Sequence, residues 1–178
     1  PWLAPFILAL GVWIMAGVIQ ELAFRINLGK TPLATSWARL KGLPRSVFGT
    51  AVAHFGVGLM VVGIVGTSAY RVEQVQVISP GQMATIAGYE LTFVGAEQRR
   101  GPNYSEQIGR FKVSVGGREI TEILPSKRLY RVPRQTTNEA GIHPSMWGDL
   151  YVTLGDIQAD KKSFAVRLYF HPLVRFIW

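Results

Sequence analysis

Two long stretches almost without charge constrain this chain more than any other feature. Residues 1–24 carry a single charged side chain, Glu21, and residues 46–68 carry none. An α-helix rises about 1.5 Å per residue, so about 20 apolar residues cross the roughly 30 Å of hydrocarbon in a bilayer. Each stretch is long enough, and the reading is a membrane-spanning helix over 1–25 and another over 46–68. Two apolar helices buried in a soluble core are the alternative.

Where the remaining charges sit decides which way the chain runs. The 178 residues have a formal net charge of +8, which would suggest nucleic acid if the cations formed one exposed patch. They are divided instead. Arg25, Lys30, Arg39, Lys41 and Arg45 all lie between the apolar stretches with no acidic residue among them. This is the composition of a cytoplasmic loop, here residues 26–45. The first stretch then runs inward and the second outward, and the polar remainder lies outside: the periplasm, if the membrane is a bacterial inner membrane. Its charges are mixed in sign, so the expected non-protein partner is membrane lipid and not nucleic acid.

The chain has no cysteine, which excludes disulfides, a thiol nucleophile and thiolate metal sites. The start of the sequence has neither a methionine nor a basic n-region and does not read as a signal peptide. Residues 171–178, His171-Pro-Leu-Val-Arg-Phe-Ile-Trp178, read as the first turns of a third membrane helix cut short, and both ends read as excisions.

Within the loop, Trp37 among basic residues suits the membrane interface, and a short amphipathic helix is expected there. Ser46 can cap the second span by accepting a backbone N–H bond. Gly49, Ala53, Gly56 and Gly63 fall on one face of that span and predict close approach of another helix.

From Arg71 the pattern changes to short β-type runs: 72–78, 89–94, 109–115, 119–124, 150–154 and 163–170. Turn signals such as Ser79-Pro-Gly81, Gly101-Pro-Asn103 and Gly116-Gly117 separate them, and residues 136–148, with Pro144, read as a loop. The predicted class is therefore membrane α-helical plus all-β. Two transmembrane helices and the start of a third accompany a periplasmic antiparallel β sandwich or barrel over 69–170.

Of the three histidines, His54 alone lies inside a span, in the half nearer the cytoplasm. An ionisable group at that depth is costly unless it has a partner, and a neutral imidazole is a good metal or haem ligand. Thr50 and Gly58 lie one turn either way, and the small residue at 58 would leave room for a flat macrocycle. A histidine hydrogen-bonded to a neighbouring helix or to water satisfies the same observation, and both readings stand. His143 and His171 have no second ligand at metal-binding spacing and read as surface or interfacial residues. Glu21 can pair with Arg25 at i+4, with a proton relay as the bolder reading. The run Lys127-Arg-Leu-Tyr-Arg-Val-Pro-Arg134 could meet an acidic partner, although such runs are more often solvated strand edges. No phosphate loop, no Ser/His/Asp order and no telling pair of carboxylates occurs, which leaves no hydrolytic or phosphoryl-transfer reading.

Six ordered segments carry a resemblance across essentially the whole chain. They are Ala53-His-Phe-Gly-Val-Gly58, Gly101-Pro-Asn-Tyr104, Ser126-Lys-Arg-Leu-Tyr130, Thr137-Asn-Glu-Ala-Gly141, Asp149-Leu-Tyr-Val-Thr-Leu-Gly-Asp156 and the stretch from Ala165 to Trp178. Together they resemble the C-terminal part of the CcmF family, the haem lyase subunits of cytochrome c maturation, with relatives serving nitrite reductase assembly. The resemblance implies a multi-pass inner-membrane protein that takes haem from a periplasmic haem chaperone and directs its attachment to apocytochrome c, alongside other cytochrome c maturation membrane subunits. It also implies a b-type haem (haem b) held by two membrane histidines, which keeps the incoming iron reduced. His54 matches one of those axial ligands to the haem iron. The second axial ligand and the other haem-handling residues belong to parts of the family protein preceding residue 1, so lyase activity is expected only of the full-length protein or complex. His143 and His171 match no family ligand. The alternative function is a membrane-tethered periplasmic β-domain that acts only as a partner-binding or assembly subunit.

Overall fold

The computed structural model describes residues 2–160 and 162–178. The chain divides into two compact units, one reaching to Ala69 and taking in Leu173–Trp178, the other Tyr70–Pro172.

The first unit is helical. Helix α1 is Ala4–Arg25, α2 is Leu33–Lys41 and α3 is Arg45–Ala69. At 22 and 25 residues, α1 and α3 reach about 33 and 37 Å, sufficient to span a bilayer. Only 6% and 11% of their most apolar windows is buried within the chain. A soluble core helix is covered on most sides; these are not. A proline in the first turn of α1 costs no hydrogen bond, and the helix ends where Asn27 takes a positive φ of 53°. In the short helix α2, Lys41 Nζ lies 5.3 Å over the Trp37 ring, so the aromatic and basic residues of the loop share one face.

Helix α3 starts one residue earlier than expected. The Pro44 carbonyl accepts from the N–H groups of Val47 and Phe48, which puts Ser46 inside the first turn and not at the cap. The face on which α3 meets α1 also differs from expectation. A Cβ on Gly58 would stand 2.6 Å from Met15 Cγ and 2.8 Å from the Gly11 carbonyl oxygen, and one on Gly11 would stand 3.0 Å from the Gly58 carbonyl oxygen. The backbones touch at this pair. Gly49 and Gly56 have open space over them, and Gly63 packs on Leu173, Phe176 and Ile177. Two faces of α3 are rich in small residues, and periodicity alone does not say which is occupied.

The helical turn expected from His171 starts later, at Val174. His171 and Pro172 complete a strand, and the only helical turn among 171–178 is the 3-10 turn Val174–Phe176.

The second unit is an antiparallel sandwich. Its strands are β1 Val72–Ile78, β2 Met83–Ile86, β3 Tyr89–Arg100, β4 Tyr104–Val115, β5 Arg118–Ile123, β6 Ser126–Tyr130, β7 Gln135–Glu139, β8 Gly141–His143, β9 Gly148–Ile157 and β10 Phe164–Pro172. One sheet has the order β1-β10-β9-β8 and the other β2-β3-β4-β6-β7, with β5 also paired to β4. Two-residue turns at Ala87-Gly88 and Gly116-Gly117, all with positive φ, fold back β2–β3 and β4–β5 in the geometry that matches strand twist.

Alternation makes the core. In β9, Gly148, Leu150, Val152 and Leu154 are buried while the residues between them are partly exposed. Opposite them Phe93 and Phe111 stack with ring centroids 4.9 Å apart, and Phe164 meets Phe93 edge-on at 5.7 Å. The stretch read as a loop, 136–148, instead supplies most of β7 and all of β8. Strand β7 is Gln-Thr-Thr-Asn-Glu, with no apolar alternation to betray it; its five-residue ladder to β6 holds it in the sheet. Strand β6 is flanked by β4 and β7, so the run beginning at Lys127 is not a strand edge.

Because Phe111 is fully buried and stacked, Phe111→Ala is expected to lower the stability of the sandwich by about 3–5 kcal/mol. Denaturant unfolding of the detergent-solubilised chain, followed by near-UV circular dichroism, measures it. A loss under about 1 kcal/mol would contradict this account of the core.

Candidate functional site

His54 occupies the third turn of α3, and its side chain is exposed within this chain. Its Nδ1 lies 2.8 Å from the Thr50 carbonyl oxygen. A carbonyl can only accept, so this contact is a hydrogen bond with the proton on Nδ1, and in the neutral ring of that tautomer the lone pair is on Nε2. Metal-bound histidines are commonly oriented in this way, with the second ring nitrogen donating to a backbone carbonyl that fixes tautomer and rotamer.

The seam between α1 and α3 continues on either side of this residue. Thr50, with Glu21, Arg25 and Ser46, lines a groove nearer the loop. Val61, with Ala4, Ile7, Ile64 and Val65, lines an apolar groove of about 350 Å³ nearer the other end.

The donor set fits one axial position of a haem and no more. Among the described residues no group of three or more His, Asp or Glu side chains could hold a metal ion. The expected role of Gly58 is corrected: the space above it is filled by Met15 and the Gly11 backbone, so no macrocycle can lie there. Any ring on Nε2 has to approach from the uncovered flank.

The other residues singled out in the sequence fall elsewhere. Glu21 Oε1 accepts from Arg25 Nε at 2.9 Å and Nη2 at 2.7 Å, the expected i,i+4 pair. His143 is half-buried with its ring edge-on to Tyr89, centroids 5.8 Å apart. His171 lies between Tyr151 at 5.0 Å and Tyr169 at 6.0 Å. Burial holds its pKa below the usual imidazole value, aided by Arg71 and opposed by Asp149. Both sit in the β unit.

Two features were not legible. Gly11 and Met15, which set the rotation of α3, lie in an apolar run where nothing distinguishes them. Glu106 is a buried carboxylate that accepts from Arg128 Nε at 2.8 Å and Ser126 Oγ at 3.2 Å. This pairing raises the Arg128 pKa above its ordinary value, and the guanidinium also lies 4.8 Å over the Tyr104 ring. The pair is twenty-two residues apart in sequence and is joined only by the β4–β6 register.

Comparison with known proteins agrees with this architecture. Residues 69–172 match the family described as the CcmF C-terminal beta-sandwich. Across all 178 residues the chain is 47% identical to the cytochrome c-type biogenesis protein CycK of Rhizobium meliloti, and covers 26% of that protein. It is 37% identical over 169 residues, 95% of this chain and 26% of the relative, to the cytochrome c-type biogenesis protein CcmF of Pseudomonas aeruginosa. A solved structure titled Cytochrome c Heme Lyase CcmF shares the fold, with a TM-score of 0.72 and 19% identity over 98% of this chain and 28% of that one. The chain thus spans about a quarter of the length of the curated relatives it matches, and it belongs to the CcmF family of cytochrome c-type biogenesis proteins.

Proposed function

We propose that this chain is the C-terminal portion of a protein that receives haem and promotes its covalent attachment to apocytochrome c, with His54 supplying one axial ligand to a b-type haem in the membrane. The observation that carries the reading is the tie between His54 Nδ1 and the Thr50 carbonyl, which leaves the Nε2 lone pair to serve as a ligand. A lone pair left without a partner in hydrocarbon is costly, and a metal would relieve that cost. A haem held there supplies one-electron chemistry that keeps an incoming haem iron reduced. The part played by this chain is to hold the imidazole in one tautomer and one orientation. The second axial ligand, the haem-attachment activity and the contacts with a periplasmic haem chaperone, apocytochrome c and other maturation subunits belong to the whole protein or complex.

Full-length protein purified from cells carries the test. His54→Ala is expected to abolish most of the low-spin b-type spectrum, whereas His143→Ala and His171→Ala retain it. Retention of the full bis-histidine spectrum by the His54 variant would remove the residue from the site.

Orientation is a separate part of the reading. The cations Arg25, Lys30, Arg39, Lys41 and Arg45 around α2 support a cytoplasmic loop in the bacterial inner membrane, with the sandwich in the periplasm. A reporter fused at Trp37 is expected to show cytoplasmic-type activity and one fused at Tyr104 periplasmic-type activity. The reverse pattern would contradict the orientation.

A further inference from the structure

The end of the sandwich formed by the β3–β4 and β6–β7 turns concentrates positive charge. The two turns lie side by side: Tyr104 is paired with Tyr130, and the Arg131 N–H donates to the Asn103 carbonyl at 3.1 Å. Residues 99–104 and 127–134 contain six cations and no acidic side chain. Two of the six are already matched, Arg128 by Glu106 and Lys127 by Asp156. The other four, Arg99, Arg100, Arg131 and Arg134, are exposed, and none of them is in an ion pair among the described residues. Glu97, two residues back along β3, is the nearest acidic residue on that strand.

Folding does not require this arrangement. The buried carboxylate that needs a cation has Arg128, and four further arginines at one end repel one another. All four are arginine and none is lysine, although lysine serves equally well to keep a surface soluble. The planar guanidinium is the better partner for carboxylates because its fork takes both oxygens.

Geometry narrows the class of anion. The other end of β3 begins at Tyr89, whose ring lies 6.0 Å from Phe170, two residues before the chain leaves the sandwich at Pro172. Arg100 is eleven residues further along β3, about 36 Å at the rise of a strand. The patch is thus remote from both points, Tyr70 and Pro172, where the sandwich is tied to the apolar helices. Its cations are spread over two adjacent turns. An extended chain laid across the two turns would bring successive carboxylates past Arg99, Arg100, Arg131 and Arg134. A single phosphate or a lipid headgroup would use only part of the surface.

We propose that this end of the sandwich is a docking surface for an acidic, extended segment of a partner protein, with Arg99, Arg100, Arg131 and Arg134 receiving its carboxylates. The proposal is independent of the haem reading.

The test measures binding of a fluorescent ten-residue peptide of alternating Glu and Ala to the detergent-solubilised chain, with its apolar helices intact. Reversing the four arginines to Glu is expected to weaken binding at least about tenfold, and added salt to weaken the wild-type complex. The same four-charge reversal in the basic loop, at Lys30, Arg39, Lys41 and Arg45, is expected to leave it within about threefold. Equal loss in both variants, or loss only in the loop variant, would overturn the proposal. So would a patch that binds soluble short-chain phosphatidylglycerol but not the peptide. Near-UV circular dichroism checks that the sandwich is folded. Should the fourfold variant fail that check, Arg131→Gln with Arg134→Gln is expected to weaken peptide binding in a folded protein, and unchanged binding would overturn the proposal as well.

Discussion

The contact of two peptide backbones at Gly11 and Gly58 is the constraint on which the candidate site depends. In hydrocarbon each helix satisfies its own hydrogen bonds, and there is no hydrophobic gain from pressing one apolar helix on another. What remains is van der Waals contact, which is largest where no side chain keeps the backbones apart. A Cβ on Gly58 would collide with Met15 and with the Gly11 carbonyl, so this approach requires glycine. Four residues along a helix return to nearly the same face, about 40° round. Fixing Gly58 against α1 therefore sets the direction in which His54 projects beside the seam, while the Thr50 carbonyl of the same helix orients its ring.

The sandwich meets a different constraint with different means. With no cysteine to cross-link it, it rests on the stacked Phe93–Phe111 pair and the alternating aliphatic residues of β9 and β10. Near its arginine-rich end the inward alternation gives way to polar groups, and there Glu106, Arg128 and Ser126 satisfy one another. A buried carboxylate without such partners would cost more than its burial returns.

The two apolar spans, the basic loop with its short helix, the Glu21–Arg25 pair and the bounds of β1 were all legible, because each rests on local periodicity or spacing. Strands β3 and β4 were recognised only where they alternate, and their polar outer halves were missed. Strand β7 was read as loop since its residues are held by a neighbour and not by an apolar face. The run from His171 looked helical because apolar and aromatic residues there suit either state, and its first two residues pair with β9. At the site, the imidazole was found because an ionisable residue stands out in an uncharged span. The role given to Gly58 was wrong because a glycine on a helix face signals room without saying what fills it.

The central claim is that Nε2 of His54 ligates a haem iron, and imidazole rescue tests it most directly. Replacing His54 with Gly in the full-length protein leaves a cavity where the ring stood. The account predicts that this variant loses the low-spin b-type spectrum and regains it when free imidazole is added. A His54→Gly protein that keeps the complete low-spin spectrum without added imidazole would contradict the account.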